Sequence, residues 1–430
     1  MHKRVLMIAF HYPPALASGT HRTLSFSRDL PEFGWEPIVL TAHPRVHERL
    51  DPAQEEEIPP DIRVHRVFAL DAKRHLAIRG RYLRLTAWPD RWSSWYPAAV
   101  LRGLQLILQY RPQVIWSTYP IPTTLLIART LHRLTGLPWV ADLRDPLVTG
   151  QYPSDPALKK SFTNLERKTL QRCTRITVST PGLQRFLTAR HPEIDPDKWA
   201  LIFNGYDERS FKRCDHLARP LLPNPAPLTL VHGGTLYTGS DERNPGPFFN
   251  VLAQLRQQRL IGAPQENSPT CIGLNIVLRA TAHDEIIQAM LRKRHLTDLV
   301  TIAPPLPYHA VIQEMFQADG LLMFQGEGFD HLIPAKLFEY LRTRRPILAL
   351  TGEHGDSARI LRDAGLSSSI TSLHDEALMA PALLAFLNDL RTGKAKLPDP
   401  QRVAGYSRRL QAKNLADLFD QLVPAAHRER

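Results

Sequence analysis

The chain has 430 residues, of which 43% are hydrophobic and 22% are charged. This composition is typical of a globular protein of about two domains, and it excludes a disordered, collagen-like or disulfide-stapled chain. The net charge of +12 lies mainly in residues 1–215, which hold 31 Lys and Arg against 21 Asp and Glu. Such a basic half favours a polyanionic partner, namely nucleic acid, anionic lipid or a phosphate-bearing substrate, unless the protein is simply rich in arginine.

The cysteines and the N-terminus predict the setting of the protein. The three cysteines are far apart and form no CxxC pair, so neither a zinc site nor a disulfide framework is indicated. The apolar run before His11 is about six residues long, which is too short for a signal peptide or a membrane helix. We therefore expect a reduced, cytoplasmic protein.

Strand-like and helix-like segments alternate through the first half. The apolar run Arg4–Phe10 predicts a buried parallel strand, and Gly19–Leu30 predicts the helix that follows it. Further strands are predicted at Pro37–Thr41, Ile62–Phe68, Val114–Thr118, Trp139–Asp142 and Arg175–Ser179, and helices at Pro122–Leu134 and Leu158–Gln171. This alternation indicates a parallel sheet with right-handed crossovers.

The same alternation restarts after the proline-rich stretch Pro220–Pro227. Strands are predicted at Leu228–His232, Leu274–Arg279, Leu299–Ile302, Gly320–Phe324 and Pro346–Leu350, with helices at Pro247–Gln257, Asp284–Leu291, Tyr308–Phe316, Ala335–Arg342 and Arg402–Leu422. We predict an α/β fold of two Rossmann-like, doubly wound parallel-sheet domains that face a central cleft. The predicted bounds are 1–215 for the first domain, 216–227 for a linker, 228–400 for the second domain, and 401–430 for a C-terminal helix that packs back on the first domain.

Two loops that follow predicted strands contain candidate binding residues. Gly19 precedes the first helix, where backbone N–H groups bind phosphate, although a purely conformational role is the alternative. The loop lacks GxGxxG, so a nicotinamide cofactor is not indicated. In the second half, Gly233 and Gly234 let the backbone approach a diphosphate, and Arg243 can bind phosphate oxygens unless it is an ordinary surface residue.

The segment around residue 336 gives the strongest local signal. Pro334 can start a helix, which places Lys336 near the positive N-terminal end of that helix. The lysine charge and the helix end together suit a leaving diphosphate. Glu339 lies one turn later and can accept hydrogen bonds from ribose hydroxyls. The alternative is a Lys–Glu surface pair.

Eight stretches carry a resemblance to a known family. They are Phe10–Pro14 with Ser18–Arg22, Phe33–Pro37 with Val39–Thr41, Trp139–Pro146, Phe203–Asp207, His232–Tyr237 and Ile333–Tyr340. On these residues the chain resembles GT-B glycosyltransferases of the retaining family-4 type. The resemblance implies a nucleotide-sugar donor, here UDP-linked, held mainly by the second domain, with no metal and no cofactor.

The family pattern leaves the identity of the donor sugar open, and a strand end offers candidate residues for the acceptor. Many members have two glutamates eight positions apart; Glu339 matches the second, whereas His331 occupies the first and is our candidate near the donor sugar. Asp142, Arg144 and Asp145 lie at the end of a predicted strand and are the candidate catalytic residues. One aspartate would hold the acceptor hydroxyl, and Arg144 would bind phosphate. A structural Asp–Arg pair is the alternative.

The segment Lys73–Tyr96 combines six Lys and Arg with five Trp and Tyr. This composition is typical of a membrane interface, and the alternative is a solvated basic loop with its aromatic rings in the core. It favours a peripheral protein at the inner membrane face that uses a glycan or lipid-linked acceptor in cell-surface polysaccharide assembly.

Two other functions remain open from the sequence, and a third is disfavoured. A nucleotide-sugar epimerase of the same fold needs no acceptor, and a non-catalytic GT-B-like binding protein is kept open by His331. Binding to nucleic acid is not expected, because no helix-turn-helix or RNA-binding motif occurs.

Overall fold

The computed structural model describes residues 3–77, 79, 81–83, 87–150, 152–218, 220, 222–238 and 244–423. The chain forms two compact units: the first contains the described residues up to 204 and those from 408 onwards, and the second contains residues 205–407. The sequence places these divisions at 215 and 400 instead. The earlier division has a physical cause, because Arg342 of the second unit pairs with Glu208 and Asp215 and holds that segment on the second unit.

The first unit is built around one parallel sheet. Its strands are β1 Lys3–Ile8, β2 Trp35–Ala42, β3 Arg63–Val67, β4 Val114–Thr118, β5 Trp139–Leu143, β6 Arg175–Val178 and β7 Trp199–Leu201. Its helices before residue 204 are α1 Ser18–Asp29, α2 Ala72–His75, α3 Trp95–Tyr110, α4 Pro122–Thr135, α5 Pro156–Arg172 and α6 Pro181–Arg190. The strand order is β3-β2-β1-β4-β5-β6-β7, so the order reverses at β1.

Burial on both faces explains the apolar runs of this sheet. In β1, Leu6 and Ile8 join the core on one face, whereas Val5 and Met7 join the core on the other, and none of the four has exposed surface. A strand covered on both faces needs apolar residues at every position.

The second unit repeats this plan. Its helices are α7 Glu208–Lys212, α8 Gly246–Gln257, α9 Asp284–Lys293, α10 Tyr308–Gln317, α11 Ala335–Thr343, α12 Asp356–Asp363, α13 Glu376–Thr392 and α14 Pro400–Ala404. Its strands are β8 Leu228–Gly233, β9 Ile261–Gly262, β10 Ile272–Arg279, β11 Val300–Ala303, β12 Gly320–Phe324, β13 Ile347–Leu350 and β14 Ile370–Thr371. The order β11-β10-β8-β12-β13-β14, with β9 beside β10, reverses at β8. The predicted pair of Rossmann-like sheets is therefore confirmed.

The last helix of the described residues belongs to the first unit. The sequence predicts one helix over Arg402–Leu422, whereas the structure has α14 and then α15 Arg408–Leu422. The interruption lies where the chain leaves the second unit. In α15, Phe419 packs edge-on against Trp35, with 5.1 Å between ring centroids, and Asp420 pairs with Lys3.

Candidate active site

The carboxyl end of β8 lies where the strand order of the second sheet reverses. Ligands of doubly wound sheets bind at such points. The last residues of β8 are His232 and Gly233, and α11 begins after the N-cap residue Pro334. Lys336 in the first turn of α11 lies with its Nζ 3.5 Å from Nε2 of His232. The structure thus brings the glycine loop and Lys336 together.

His232 holds Lys336 as a neutral hydrogen-bond acceptor. Its side chain is completely buried, and its Nδ1 lies 2.9 Å from the carbonyl oxygen of Leu322, so Nδ1 carries the proton. Burial, with the nearby Lys336 ammonium, keeps the pKa of His232 well below 6.5. The lone pair of Nε2 therefore faces the ammonium group, a role that no local sequence pattern predicts.

The two glycines of the loop have different structural requirements. Gly234 has a φ of +105°, and a Cβ there would lie 2.9 Å from Nζ of Lys336. At Gly233, a Cβ would meet only the Tyr340 hydroxyl at 3.9 Å, which is ordinary contact. Only Gly234 is thus required by the protein itself, whereas a need for glycine at 233 would come from a ligand.

This difference predicts unequal effects of alanine. Gly234→Ala should lower the free energy of unfolding by about 1–3 kcal/mol, because the backbone is strained and Lys336 is displaced. Gly233→Ala, the matched control, should stay within about 0.5 kcal/mol of wild type. Urea unfolding followed by circular dichroism measures both values. Equal losses would contradict the distinction.

Glu339 lies one turn after Lys336 on α11 and is held from the neighbouring helix. The hydroxyl of Tyr308 donates to its Oε1 at 2.8 Å. The next residue, Tyr340, is buried and accepts a hydrogen bond from the Gly233 N–H at 2.9 Å. The first turn and a half of α11 thus fixes both the glycine loop and a carboxylate.

Two further residues, His331 and Arg243, are predicted to bind the nucleotide-sugar donor. His331 is partly buried on the segment between β12 and α11. Arg243 lies outside the described residues. Their predicted roles stay predictions.

Asp142 of the first unit is the centre of a buried polar cluster. It has no exposed surface, and its carboxylate accepts from Arg22 at 2.8 and 3.0 Å and from the hydroxyls of Thr118 and Thr177, each at 2.7 Å. Burial alone would raise the pKa of Asp142, but Arg22 and the hydroxyl donors outweigh it and hold the pKa below 3.8. This arrangement matches the structural Asp–Arg pair, with Arg22 rather than Arg144 as the partner.

Arg144 and Gly19 meet at the carboxyl ends of the first sheet. The Nε of Arg144 donates to the carbonyl of Tyr119 at 2.8 Å. A Cβ on Gly19, in the first turn of α1, would lie 3.0 Å from Nη2 of Arg144 and 3.1 Å from Cδ2 of His11. Glycine therefore lets these side chains lie against the helix N-terminus. Asp145, unlike Asp142, is exposed.

The segment Lys73–Tyr96 divides into a packed and an exposed part. Trp95 is fully buried, Trp92 and Tyr96 pack against the core, and Arg91 pairs with Glu48. These aromatic rings therefore belong to the core, as in the alternative prediction of a solvated basic loop. Before them, the exposed residues include Arg79, Arg81, Tyr82, Leu83 and Trp88, whereas Arg84 lies outside the described residues.

Two kinds of feature are absent from the described residues. No three His, Cys, Asp or Glu side chains there are grouped so that they could hold a metal ion. Within the same ranges, no helix has both the length and the apolar composition needed to cross a bilayer.

Solved structures share the fold over nearly the whole chain. Sucrose-phosphate synthase from Thermosynechococcus elongatus is 14% identical, with a TM-score of 0.64 over 98% of this chain and 99% of that one. Anabaena HepE, in complex with UDP and glucose, is 12% identical, with a TM-score of 0.60 over 98% and 100%. A protein described as a UDP-N-acetylglucosamine 2-epimerase, from Listeria monocytogenes, is 14% identical, with a TM-score of 0.56 over 97% of each chain.

The two sheets and these neighbours define a GT-B fold. Residues 19–205 match the model of the Glycosyl transferase 4-like domain. The chain thus has the GT-B fold, and the matched glycosyltransferase domain lies almost entirely in its first unit. No curated protein matches the chain in sequence.

Proposed function

We propose that the protein transfers a sugar from a UDP-sugar to a glycan or lipid-linked acceptor in cell-surface polysaccharide assembly, with retention of anomeric configuration. The observation that carries the donor part is the convergence of the Lys336 ammonium, the Gly234 backbone and the start of α11 at the end of β8. HepE, which shares the fold, is in complex with UDP and glucose.

The leaving diphosphate would be stabilised by fixed charges. Lys336 and the N-terminal N–H groups of α11 supply positive potential, and we assign Arg243 to the same role. Fixed donors aimed at developing negative charge are an effective catalytic device, because they need no rearrangement during the reaction. This assignment needs neither a metal ion nor a protein nucleophile.

The acceptor would bind the first unit. We assign the acceptor hydroxyl to Asp145, because Asp142 is sealed inside its cluster. Arg144 and the start of α1 at Gly19 would bind a phosphate of a lipid-linked acceptor.

The donor part is tested through the ribose. Glu339→Gln should weaken UDP binding about tenfold or more, because a carboxylate–hydroxyl hydrogen bond loses its charge. Binding of 2′,3′-dideoxy-UDP, which lacks both hydroxyls, should change little. Calorimetry with both ligands decides it. Equal losses of affinity would mean that Glu339 supports protein stability or binds the phosphates and does not bind the ribose.

Membrane attachment would use the exposed part of the basic, aromatic segment. Arg79 and Arg81 supply charge for an anionic leaflet, and the nearby Leu83 and Trp88 are 75% and 39% exposed. Side chains of these two kinds together favour the interface between lipid headgroups and acyl chains.

The membrane proposal predicts salt-dependent binding. Changing Arg79 and Arg81 to Gln should weaken binding to anionic vesicles by about 2 kcal/mol, roughly thirtyfold, at about 1 kcal/mol per cation. Arg167→Gln with Arg172→Gln removes the same charge from α5 and should have a smaller effect. Co-sedimentation at increasing salt measures it, and equal binding to neutral vesicles at every salt concentration would indicate a water-soluble acceptor.

A further inference from the structure

We infer that Tyr308 is a positioning residue for donor binding, and that it acts by orienting the Glu339 carboxylate. The inference rests on the proposed role of Glu339 toward the ribose. Its basis is the 2.8 Å hydrogen bond from the Tyr308 hydroxyl to Oε1 of Glu339, which joins the start of α10 to the middle of α11.

The segment that holds Tyr308 is rigid. Three prolines, Pro304, Pro305 and Pro307, precede it, and each fixes its own φ angle. Arg279 at the end of β10 donates to the Pro304 carbonyl at 2.6 Å. The Tyr308 side chain is therefore attached to a backbone of fixed conformation.

The same arginine also fixes α10 and the glycine loop. Arg279 pairs with Glu314 of α10, and these side chains are only 12% and 21% exposed. Its backbone carbonyl accepts a hydrogen bond from the Gly234 N–H at 2.8 Å. Tyr308 is thus part of a continuous set of contacts that ends at the predicted diphosphate loop.

A fixed carboxylate binds two hydroxyl groups better than a mobile one. A glutamate side chain loses considerable rotational entropy when a ligand immobilises it, and prior orientation reduces that loss. The Tyr308 hydroxyl occupies one of about four acceptor positions on the carboxylate. Two ribose hydroxyls would need two more of these positions.

Tyr308→Phe keeps the ring and removes only the donor, so it tests the role directly. We expect about five- to tenfold weaker binding of UDP and unchanged binding of 2′,3′-dideoxy-UDP. The Tyr308→Phe/Glu339→Gln double variant should bind UDP within about twofold of Glu339→Gln alone, because Tyr308 acts through Glu339. Tyr152→Phe, which removes an exposed phenol of the first unit, is the matched control.

Calorimetry of wild type and the four variants with both ligands separates the outcomes. Fully additive losses in the double variant would mean that Tyr308 contacts the nucleotide itself, and equal losses for both ligands would mean a structural role; either overturns the inference. If wild type prefers UDP and Glu339→Gln loses that preference while Tyr308→Phe keeps it, only this inference fails. If wild type binds both ligands equally, the proposed contact between Glu339 and the ribose fails, and the inference about Tyr308 fails too.

Discussion

Replacing Asp142 by Asn should lower the free energy of unfolding of the first unit by about 3–5 kcal/mol, because it leaves a buried arginine without a counter-charge. Arg22 is only 4% exposed, and its guanidinium also donates to the carbonyl groups of Ile202 and Phe203. The pair therefore ties α1 and three strand ends to the segment after β7.

The measurement can be confined to the first unit. All seven tryptophans lie between residues 35 and 199, so their fluorescence during urea unfolding follows that unit. Asp61→Asn, which changes an exposed carboxylate of the same unit, should leave the transition in place. An Asp142→Asn protein as stable as wild type would show that the charge of Asp142 contributes little to the stability of the first unit.

The same pair predicts an acid-dependent stability. The pKa of Asp142 is lower in the folded protein than the ordinary 3.8, so the folded state favours the ionised form. The contribution of ionised Asp142 to folding stability is complete above the ordinary pKa. It is lost as the pH falls through the lower pKa of the folded protein. The stability difference between wild type and Asp142→Asn should therefore narrow below about pH 4.

Replacing Lys336 by Ala should weaken UDP binding about 10- to 100-fold, or about 1.5–3 kcal/mol, through loss of a charge-assisted hydrogen bond. Binding of uridine, which has no phosphate, should hardly change. Lys293→Ala removes an exposed lysine at the end of α9 and is the control for net charge. Calorimetry with both ligands tests this, and an unchanged UDP affinity would remove Lys336 from the donor site.

Elements that are buried on both faces could be predicted closely from the sequence. The strands Val114–Thr118 and Gly320–Phe324 have the predicted bounds, because all their residues are buried and apolar runs mark them clearly. Helix α3, in contrast, was missed. Its only charge is Arg102, and Leu101 and Leu108 are 62% and 79% exposed, so the amphipathic pattern that would predict a helix is obscured.

The candidate site was predictable only where its residues follow a strand or open a helix. Gly234 and Lys336 both occupy such positions, and the structure brings them together. Contacts between distant residues have no signal in local spacing: Arg22 and Asp142 are 120 positions apart, and Tyr308 and Glu339 are 31 apart. For the same reason, the sequence suggested Arg144 as the partner of an aspartate, whereas a more distant arginine pairs with Asp142.

Sugar transfer from a UDP-sugar to an acceptor is the activity proposed for this protein, and it can be measured with labelled donors. The protein is incubated with sugar-labelled UDP-sugars, with and without a lipid extract containing lipid-linked glycans, and the labelled products and free UDP are measured. We predict that label moves to an acceptor with release of UDP, only when acceptor is present, and that Lys336→Ala greatly slows the transfer. Conversion of the donor to an isomer without acceptor, or binding of a UDP-sugar with no transfer to any acceptor, would contradict the account.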